Sequence, residues 1–198
     1  MLTRRVLLSS AIAMTVLLAA GPVVLAQDAS TGFVLRLGND LAGIVNGPGT
    51  YEDKKRRLAP LIEEAVDVDG IARFCLGRFW RTATPEQQAQ YIQLFHRVLI
   101  NNIGGKLGEF QGVTFNPTMT TQREGETLVG TVIRRPNQQP NNVQWVVSNT
   151  AGRPKIVDVV AEGTSLRLTQ RSDYAAYLTR NNNSVDALIG AMRQQVAG

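Results

Sequence analysis

A change of hydrophobic period near Gly112 constrains the fold of this chain more than any other feature. Before this point, apolar residues recur every three or four positions, which is typical of helices with one buried face. After it come short runs of β-branched residues separated by turn-forming residues, at 113–115, 127–133, 143–147 and 155–160. Strands joined by such short turns form an antiparallel meander. The sequence therefore predicts an α+β fold with helices packed on one curved sheet of four antiparallel strands.

Six helices are predicted, four before the strands and two after them. Each begins where a side chain able to cap a helix precedes an apolar periodic segment. The clearest case is Thr84, because Pro85 and Gln87 then occupy the positions that proline and a capping-box residue favour. The other predicted starts are Ser30 or Thr31, Thr50, Asp67, Ser165 and Ser184.

The first residues of the chain resemble an export signal. Arg4 and Arg5 precede an apolar run, and small residues lie near Ala26. Either the Sec or the twin-arginine route fits this pattern, and both lead out of the cytoplasm. We expect residues 1–26 to be cleaved and residues 27–198 to form one domain. Because both of these arginines belong to the signal, the remaining basic excess is small and does not favour a nucleic-acid partner.

Residues for catalysis or metal binding are scarce. The chain has one histidine, His96, and one cysteine, Cys75, so a histidine-based triad or a cluster of histidine and cysteine ligands is not expected. Asp158 lies within a β-branched run, where it could act as a base. A carboxylate that faces solvent or pairs with an arginine such as Arg153 or Arg167 is the favoured interpretation. The basic run 54–57 is interpreted as a solvated face, with docking to acidic partners or to lipid phosphates as the alternative. These features predict a binding protein rather than an enzyme, with no catalytic residue, metal or cofactor.

Two separated segments resemble the MlaC family, also named toluene-tolerance or ABC-transporter auxiliary proteins. The first runs from Leu76 through Gly77-Arg78-Phe79-Trp80-Arg81 to Gln88, and the second runs from Ile156 to Tyr174. The residues 184–189 also fit the ending of that family. The resemblance covers essentially the whole chain after the signal segment.

The resemblance implies a periplasmic carrier that maintains the lipid asymmetry of the outer membrane. Such a carrier moves phospholipids between an outer-membrane complex of a lipoprotein and a porin, and an inner-membrane ABC transporter with its MCE-domain protein. It implies a monomeric domain in which a twisted sheet and the N- and C-terminal helices surround an apolar cavity, with phospholipid as cargo. The loop 136–142, rich in Asn and Gln, and the preceding Arg134-Arg135 pair depart from the family pattern and affect the expected partner contacts and headgroup preference.

Large apolar residues on the predicted helices and strands are the candidates for the cavity wall, since acyl chains need a dry surface. Gly130 is expected to leave room on the sheet. Two alternatives stay open: a binding protein for hopanoids or other hydrophobic ligands, and a small cone-shaped α+β isomerase that uses Asp158. The candidate wall residues are Phe79, Trp80, Leu94, Val98, Val113, Phe115, Leu128, Val132, Trp145, Val147, Val159, Leu166 and Tyr174.

Overall fold

The computed structural model describes residues 22–150 and 152–197, with side chains from Ala29 onward. Most of the expected signal segment, residues 1–21, lies outside the described residues. The helices are α1 (Pro22–Asn46), α2 (Tyr51–Ala65), α3 (Val68–Leu76), α4 (Pro85–Gly105), α5 (Leu166–Arg180) and α6 (Val185–Ala197), with 3₁₀ turns at Gly77–Arg81 and Leu107–Phe110. The strands are β1 (Thr114–Arg123), β2 (Glu126–Arg134), β3 (Asn141–Thr150), β4 (Arg153–Ala161) and β5 (Thr164–Ser165).

The predicted helix starts are confirmed by their caps. The Thr84 hydroxyl accepts a hydrogen bond from the Gln87 backbone N–H at 3.2 Å, and the Gln87 side chain accepts one from the Thr84 N–H at 3.0 Å. Thr50 and Asp53 form the same reciprocal capping box at the start of α2. Asp67, Ser165 and Ser184 each accept a backbone hydrogen bond at the starts of α3, α5 and α6. The exception is α1, which begins at Pro22, before the predicted Ser30 or Thr31.

The sheet has five antiparallel strands in the order β1-β2-β3-β4-β5, so the expectation of four was wrong. The additional strand β5 contains two residues, which are too few to produce a hydrophobic period. It pairs with the end of β4 and leads directly into α5. Strand β1 is also longer than the predicted run 113–115, because its second half is exposed and polar and so lacks the alternation of a buried strand.

Strand register separates the sheet into an inner face, which α1 covers, and an outer face. Val129 pairs with Trp145, and Trp145 pairs with Val159, so these three side chains lie on the inner face. Leu128 pairs with Val146, and Val146 pairs with Asp158, on the outer face. In β2 and β3, odd-numbered residues therefore point to the inner face and even-numbered residues to the outer face.

Two apolar clusters form the core. The larger cluster joins α2 through α6, with Leu58, Tyr91 and Leu178 fully buried. The smaller cluster lies between α1, the end of α2 and the inner face, and it includes Val34 and Val129. Leu41 and Val66 pack against both clusters and connect them.

Gly130 has a different role from the expected one. The register of β1 against β2 shifts between Pro117 and Thr120, which marks a bulge in the edge strand. A Cβ at Gly130 would lie 2.7 Å from the Met119 carbonyl oxygen and even closer to the Thr118 hydroxyl. The space that glycine leaves is therefore occupied by the bulge of β1.

Basic side chains complete the C-terminal ends of two helices. Lys54 Nζ donates to the Val45 carbonyl at 2.6 Å and Arg57 donates to the Ile44 carbonyl at 3.2 Å, both in the last turn of α1. Lys155 donates to carbonyls at the end of α2. Cations stabilise these ends because the terminal carbonyls have no partner within the helix. Lys54 and Arg57 of the basic run 54–57 thus join α2 to the end of α1.

Candidate functional site

The contact between α1 and the inner face of the sheet is the candidate site for an apolar ligand. Val34 and Leu37 of α1 are buried there against Val129, Val147 and Ile156. Phe33, Leu41, Trp145 and Val159 are partly buried at the margins of the same cluster. One long helix and one sheet face thus form two opposed apolar walls, which are in direct contact in this structure.

Trp145 has its polar edge satisfied within the sheet. Its indole N–H donates to the Thr131 hydroxyl at 2.9 Å, and that hydroxyl donates to the Val143 carbonyl at 3.3 Å. The ring centroid lies 6.3 Å from that of Phe115. Because its hydrogen bond is made on the sheet, Trp145 can offer an aromatic surface to α1 or to a ligand without exposing an unpaired polar group.

Gly38 lies at a close approach of α1 to the sheet. A Cβ at this position would lie 2.9 Å from Cγ of Phe115 and 3.2 Å from its Cβ. A larger residue at position 38 would push α1 away from β1 unless Phe115 moved. Glycine here sets the distance between the two apolar walls.

The structure distributes the thirteen predicted wall residues over several environments. Four of them lie on the inner face below α1: Phe115, Trp145, Val147 and Val159. Five belong to the helical cluster: Phe79, Trp80, Leu94, Val98 and Tyr174. Leu128 and Val132 lie on the outer face, Val113 is buried just before β1, and Leu166 is exposed.

Several residues of the candidate site were missed from the sequence, namely Phe33, Val34, Leu37, Leu41, Val129 and Ile156. The periodicity predicts that Phe33, Leu37 and Leu41 share one apolar helix face, to which the structure adds Val34. Sequence alone does not say which layer that face covers. Val129 and Ile156 were missed because the facing of β2 and β4 depends on register. A long loop between β2 and β3 and a bulge in β4 determine that register.

The helical cluster is held by aromatic contacts and one buried hydrogen bond. The Tyr91 hydroxyl donates to the Ala72 carbonyl at 2.8 Å, which fastens α4 to α3. The rings of Tyr91, Phe95 and Tyr174 contact one another at centroid distances of 5.9 to 6.4 Å. Burial raises the pKa of Tyr91 and of Tyr174, because a phenolate would lose its hydration there. These contacts indicate a packed structural core at this part of the predicted wall.

Asp158 is fully engaged in holding the start of α5. Its carboxylate accepts hydrogen bonds from the Val159 N–H at 2.8 Å, the Ser165 hydroxyl at 2.5 Å and the Arg167 N–H at 3.0 Å. The Arg167 side chain lies 3.5 Å away and reaches Glu126 at 3.7 Å. Of the expected alternatives, the structure shows pairing with Arg167, and the Asp158 carboxylate is buried rather than facing solvent. The contacts are those of a structural carboxylate.

Cys75 and His96 also have structural surroundings. The Cys75 thiol is buried near the Arg167 carbonyl, and burial, followed by the nearby Asp158 charge, raises its pKa to about 12. His96 Nε2 lies 2.8 Å from Asp69 Oδ1 and joins α4 to α3. Within residues 22–150 and 152–197, no group of three or more metal-ligating side chains is close enough to hold an ion.

An open groove of about 390 Å³ lies between α5 and α6. Its walls mix polar and apolar side chains, including Asp173, Tyr177, Arg180 and Met192. Tyr174 is the one predicted wall residue that borders it. Among the helices of the described chain, none combines the length and the hydropathy that a membrane span requires.

Comparison with known proteins connects this architecture to one family. The family model for MlaC protein matches residues 41–194, which includes both segments that carry the sequence resemblance. The toluene tolerance protein ttg2D of Pseudomonas putida is 29% identical over 150 residues, which are 74% of this chain and 67% of that protein.

A solved structure shares the fold. The phospholipid-binding protein of Ralstonia solanacearum, determined in complex with a phospholipid, superposes with a TM-score of 0.75 at 20% identity. The match covers 85% of this chain and 97% of that one. The family model covers well over half of the chain, from the end of α1 into α6, so the chain belongs to the MlaC family.

Proposed function

We propose that this protein binds phospholipid, with the acyl chains held between α1 and the inner face of the sheet. The observation that carries the proposal is the pair of opposed apolar walls formed by α1 and the sheet. Family membership and the phospholipid in the Ralstonia protein support the same ligand class. Because α1 and the sheet are in contact, binding requires α1 to separate from the sheet.

The energetics favour a ligand with long apolar chains. Each methylene group transferred from water to an apolar site contributes about 0.8 kcal/mol. A carrier that removes lipid from a bilayer must replace most of that contribution, so it needs an extended dry surface. The inner face and the facing side of α1 supply one, and Thr127 and Thr131 add buried hydroxyls. The polar headgroup is expected to stay at the margin, near solvent.

The wider role we propose is that of a periplasmic carrier. In this role the protein receives phospholipid from one membrane complex and delivers it to another, between the outer membrane and an inner-membrane ABC transporter. Family membership and the export-like first residues support this role. The protein acts by binding and release, and the contacts that occupy Asp158 agree with a binding protein.

Lipid content of matched variants tests the site. Val147 is buried on the inner face and Val132 lies partly buried on the outer face, so tryptophan at each position adds the same bulk on opposite sides. We expect detergent-free Val147→Trp protein to retain several-fold less phospholipid than wild type, measured by mass spectrometry and phosphate analysis. Val132→Trp is expected to retain the wild-type amount, and far-UV spectra identify any variant that fails to fold.

Three results would contradict the proposal. Wild-type protein that neither retains phospholipid nor takes it up from vesicles would exclude this ligand class. A triterpenoid in stoichiometric amount would assign the site to rigid polycyclic ligands. Equal loss of phospholipid in the folded Val147→Trp and Val132→Trp proteins would remove the inner face as the location.

A further inference from the structure

An arginine-rich surface lies over aromatic rings at the margin of the helical cluster, on α3, the following 3₁₀ turn and α5. Phe74 is covered by two guanidinium groups, with the Cζ atoms of Arg167 and Arg171 at 5.0 and 4.8 Å from the ring centroid. Arg78 stacks on Phe79 at 4.8 Å, and Arg73 stacks on Trp80 at 5.3 Å. Four arginines are thus held over aromatic rings of α3 and the following 3₁₀ turn.

The backbone is shaped to accept this arrangement. Gly77 has a φ of +58°, and a Cβ there would lie 3.3 Å from the Arg171 guanidinium. Glycine therefore ends α3 and also lets the Arg171 side chain lie against the chain. Stacking on rings restrains the guanidinium groups while their N–H groups stay available to an anion.

The charges on this surface are largely unneutralised. In the described part of the chain, Arg73, Arg78 and Arg171 form no ion pair, whereas Arg167 faces Asp158 and Glu126. The nearby Asp69 is engaged with His96, and Asp173 follows two positions after Arg171 on α5. The surface is therefore positive, with its acidic neighbours at the edge or already bonded.

Two exposed leucines lie in the first turn of α5, the helix that also carries Arg171. Leu166 and Leu168 flank Arg167 in the first turn of α5 and are 51% and 56% exposed. Exposure of such large aliphatic side chains to water is unfavourable, and their transfer to the acyl region of a bilayer lowers the free energy. Cations that bind phosphate, combined with aliphatic side chains that enter the acyl boundary, are the two components of an interfacial membrane contact.

We propose that Arg73, Arg78 and Arg171, with Leu166 and Leu168, form a surface that docks onto bilayers containing anionic phospholipid. The guanidinium groups contact headgroup phosphates and the two leucines enter the acyl boundary. A bilayer is the occupant that these observations favour, because it satisfies the charged and the aliphatic side chains together. This inference goes beyond the proposed cargo site, which lies between α1 and the sheet.

Vesicle flotation tests this surface. The probes are unilamellar vesicles of phosphatidylcholine, with and without phosphatidylglycerol. We expect wild-type protein to float with the anionic vesicles, and to release as ionic strength rises. Arg78→Glu with Arg171→Glu is expected to reduce binding by at least about fivefold per arginine. Leu166→Ser with Leu168→Ser is expected to weaken binding at every salt concentration.

A charge-matched control separates this surface from net charge. Arg123→Glu with Arg153→Glu changes two exposed arginines of the β-hairpins by the same total charge and is expected to retain binding. Equal loss in both pairs of variants would overturn the proposal, and so would equal binding of wild type to neutral vesicles. If wild-type protein binds none of the vesicles, the proposed bilayer docking is overturned, and an acidic protein becomes the favoured partner of this surface. Because lipid retention is measured separately, a protein that docks but retains no lipid would contradict only the proposed cargo function.

Discussion

Asp158 links the outer face of the sheet to the start of α5. Asp158 is 5% exposed, and its carboxylate accepts three hydrogen bonds. The Arg167 guanidinium is a further ionic contact. A carboxylate at a helix start satisfies N–H groups that have no partner within the helix. The second segment of the family resemblance therefore has a structural explanation, because it contains both the carboxylate and the residues that it holds.

Replacement of Asp158 by alanine is expected to lower the free energy of unfolding by about 3 kcal/mol, measured by urea titration. The loss arises because buried donors and the Arg167 charge would be left without their partner. Glu126→Ala is the matched control: it removes the other acidic contact of Arg167, at 3.7 Å and partly exposed, and should cost less than about 1 kcal/mol. Equal effects of the two substitutions would refute the special role of Asp158.

Because Cys75 is buried, we expect the folded protein to lose stability at alkaline pH. Burial raises its pKa from 9.0 to about 12 in the folded protein, so between these values the unfolded chain releases a proton that the folded chain keeps. The contribution is fully present below pH 9.0 and is lost as the pH rises toward about 12. The expected slope is up to about 1.4 kcal/mol for each pH unit.

The measurement is the unfolding free energy of wild type and of Cys75→Ala at a series of pH values. The informative slope of the unfolding free energy is the one between pH 9.0 and pH 10.0. Above pH 10.0, Tyr91 and Tyr174 add slopes of the same sign, because their pKa values are also raised in the folded protein. Cys75→Ala should flatten this part of the curve. Identical slopes for the two proteins would contradict the assignment to the thiol.

The helices could be predicted from the sequence because their signals are local. A cap at Thr84 and a periodic apolar face involve residues within a few turns, so α2 through α6 begin at their predicted caps. Strand facing is not local, since it depends on how distant segments pair. Leu128 and Val132 consequently share the outer face, although Trp145 and Val147 lie on the inner one.

The same dependence on distant pairing explains why the sequence did not identify the residues of the candidate site. The sequence identified apolar residues and strands, and the family resemblance identified an apolar binding domain. It could not assign Phe79 and Leu94 to the helical core or Val159 to the surface below α1, because that choice depends on layer packing. The residues of β1 show the reverse case: the strand is exposed and polar, so its extent to Arg123 follows from pairing with β2 rather than from hydropathy.

Helix α1 is expected to move away from the sheet when lipid enters, and a disulfide can prevent this motion. A Cβ at Gly38 would lie 3.2 Å from the Phe115 Cβ, slightly less than the separation of about 3.5 to 4.5 Å in disulfides. In Gly38→Cys with Phe115→Cys, the ring that opposes position 38 is also removed. The oxidised variant should take up several-fold less fluorescent phospholipid from vesicles than its reduced form.

Each single cysteine variant is the control, because it has the substitution without the clamp and should respond little to oxidation. The native Cys75 is buried, so it is not expected to compete for the new bond. Uptake by the oxidised double variant at the rate of its reduced form would show that α1 does not need to separate from β1. Mass spectrometry of the intact protein verifies that the disulfide has formed.

At the scale of the whole molecule, the two apolar clusters differ in size and in the number of elements that they join. In the described chain, twenty buried residues form the helical cluster and six form the cluster below α1. Protection from opening depends on the apolar contacts that an element must lose. The helical cluster therefore acts as a stable frame, and α1 is attached to it mainly near Val45 and Leu41.

Hydrogen exchange can test this hierarchy directly. Backbone amides of residues 30–44 in α1 are expected to exchange at least about tenfold faster than those in the middle of α4, since opening α1 disrupts only the smaller cluster. Bound phospholipid should slow exchange in α1 and leave α4 unchanged, because a ligand between α1 and the sheet replaces contacts at that cluster alone. Equal protection of the two helices in lipid-free protein would mean that the chain opens as one unit. In that case the ligand could not enter by separation of α1, and the helical frame would have no role distinct from the sheet.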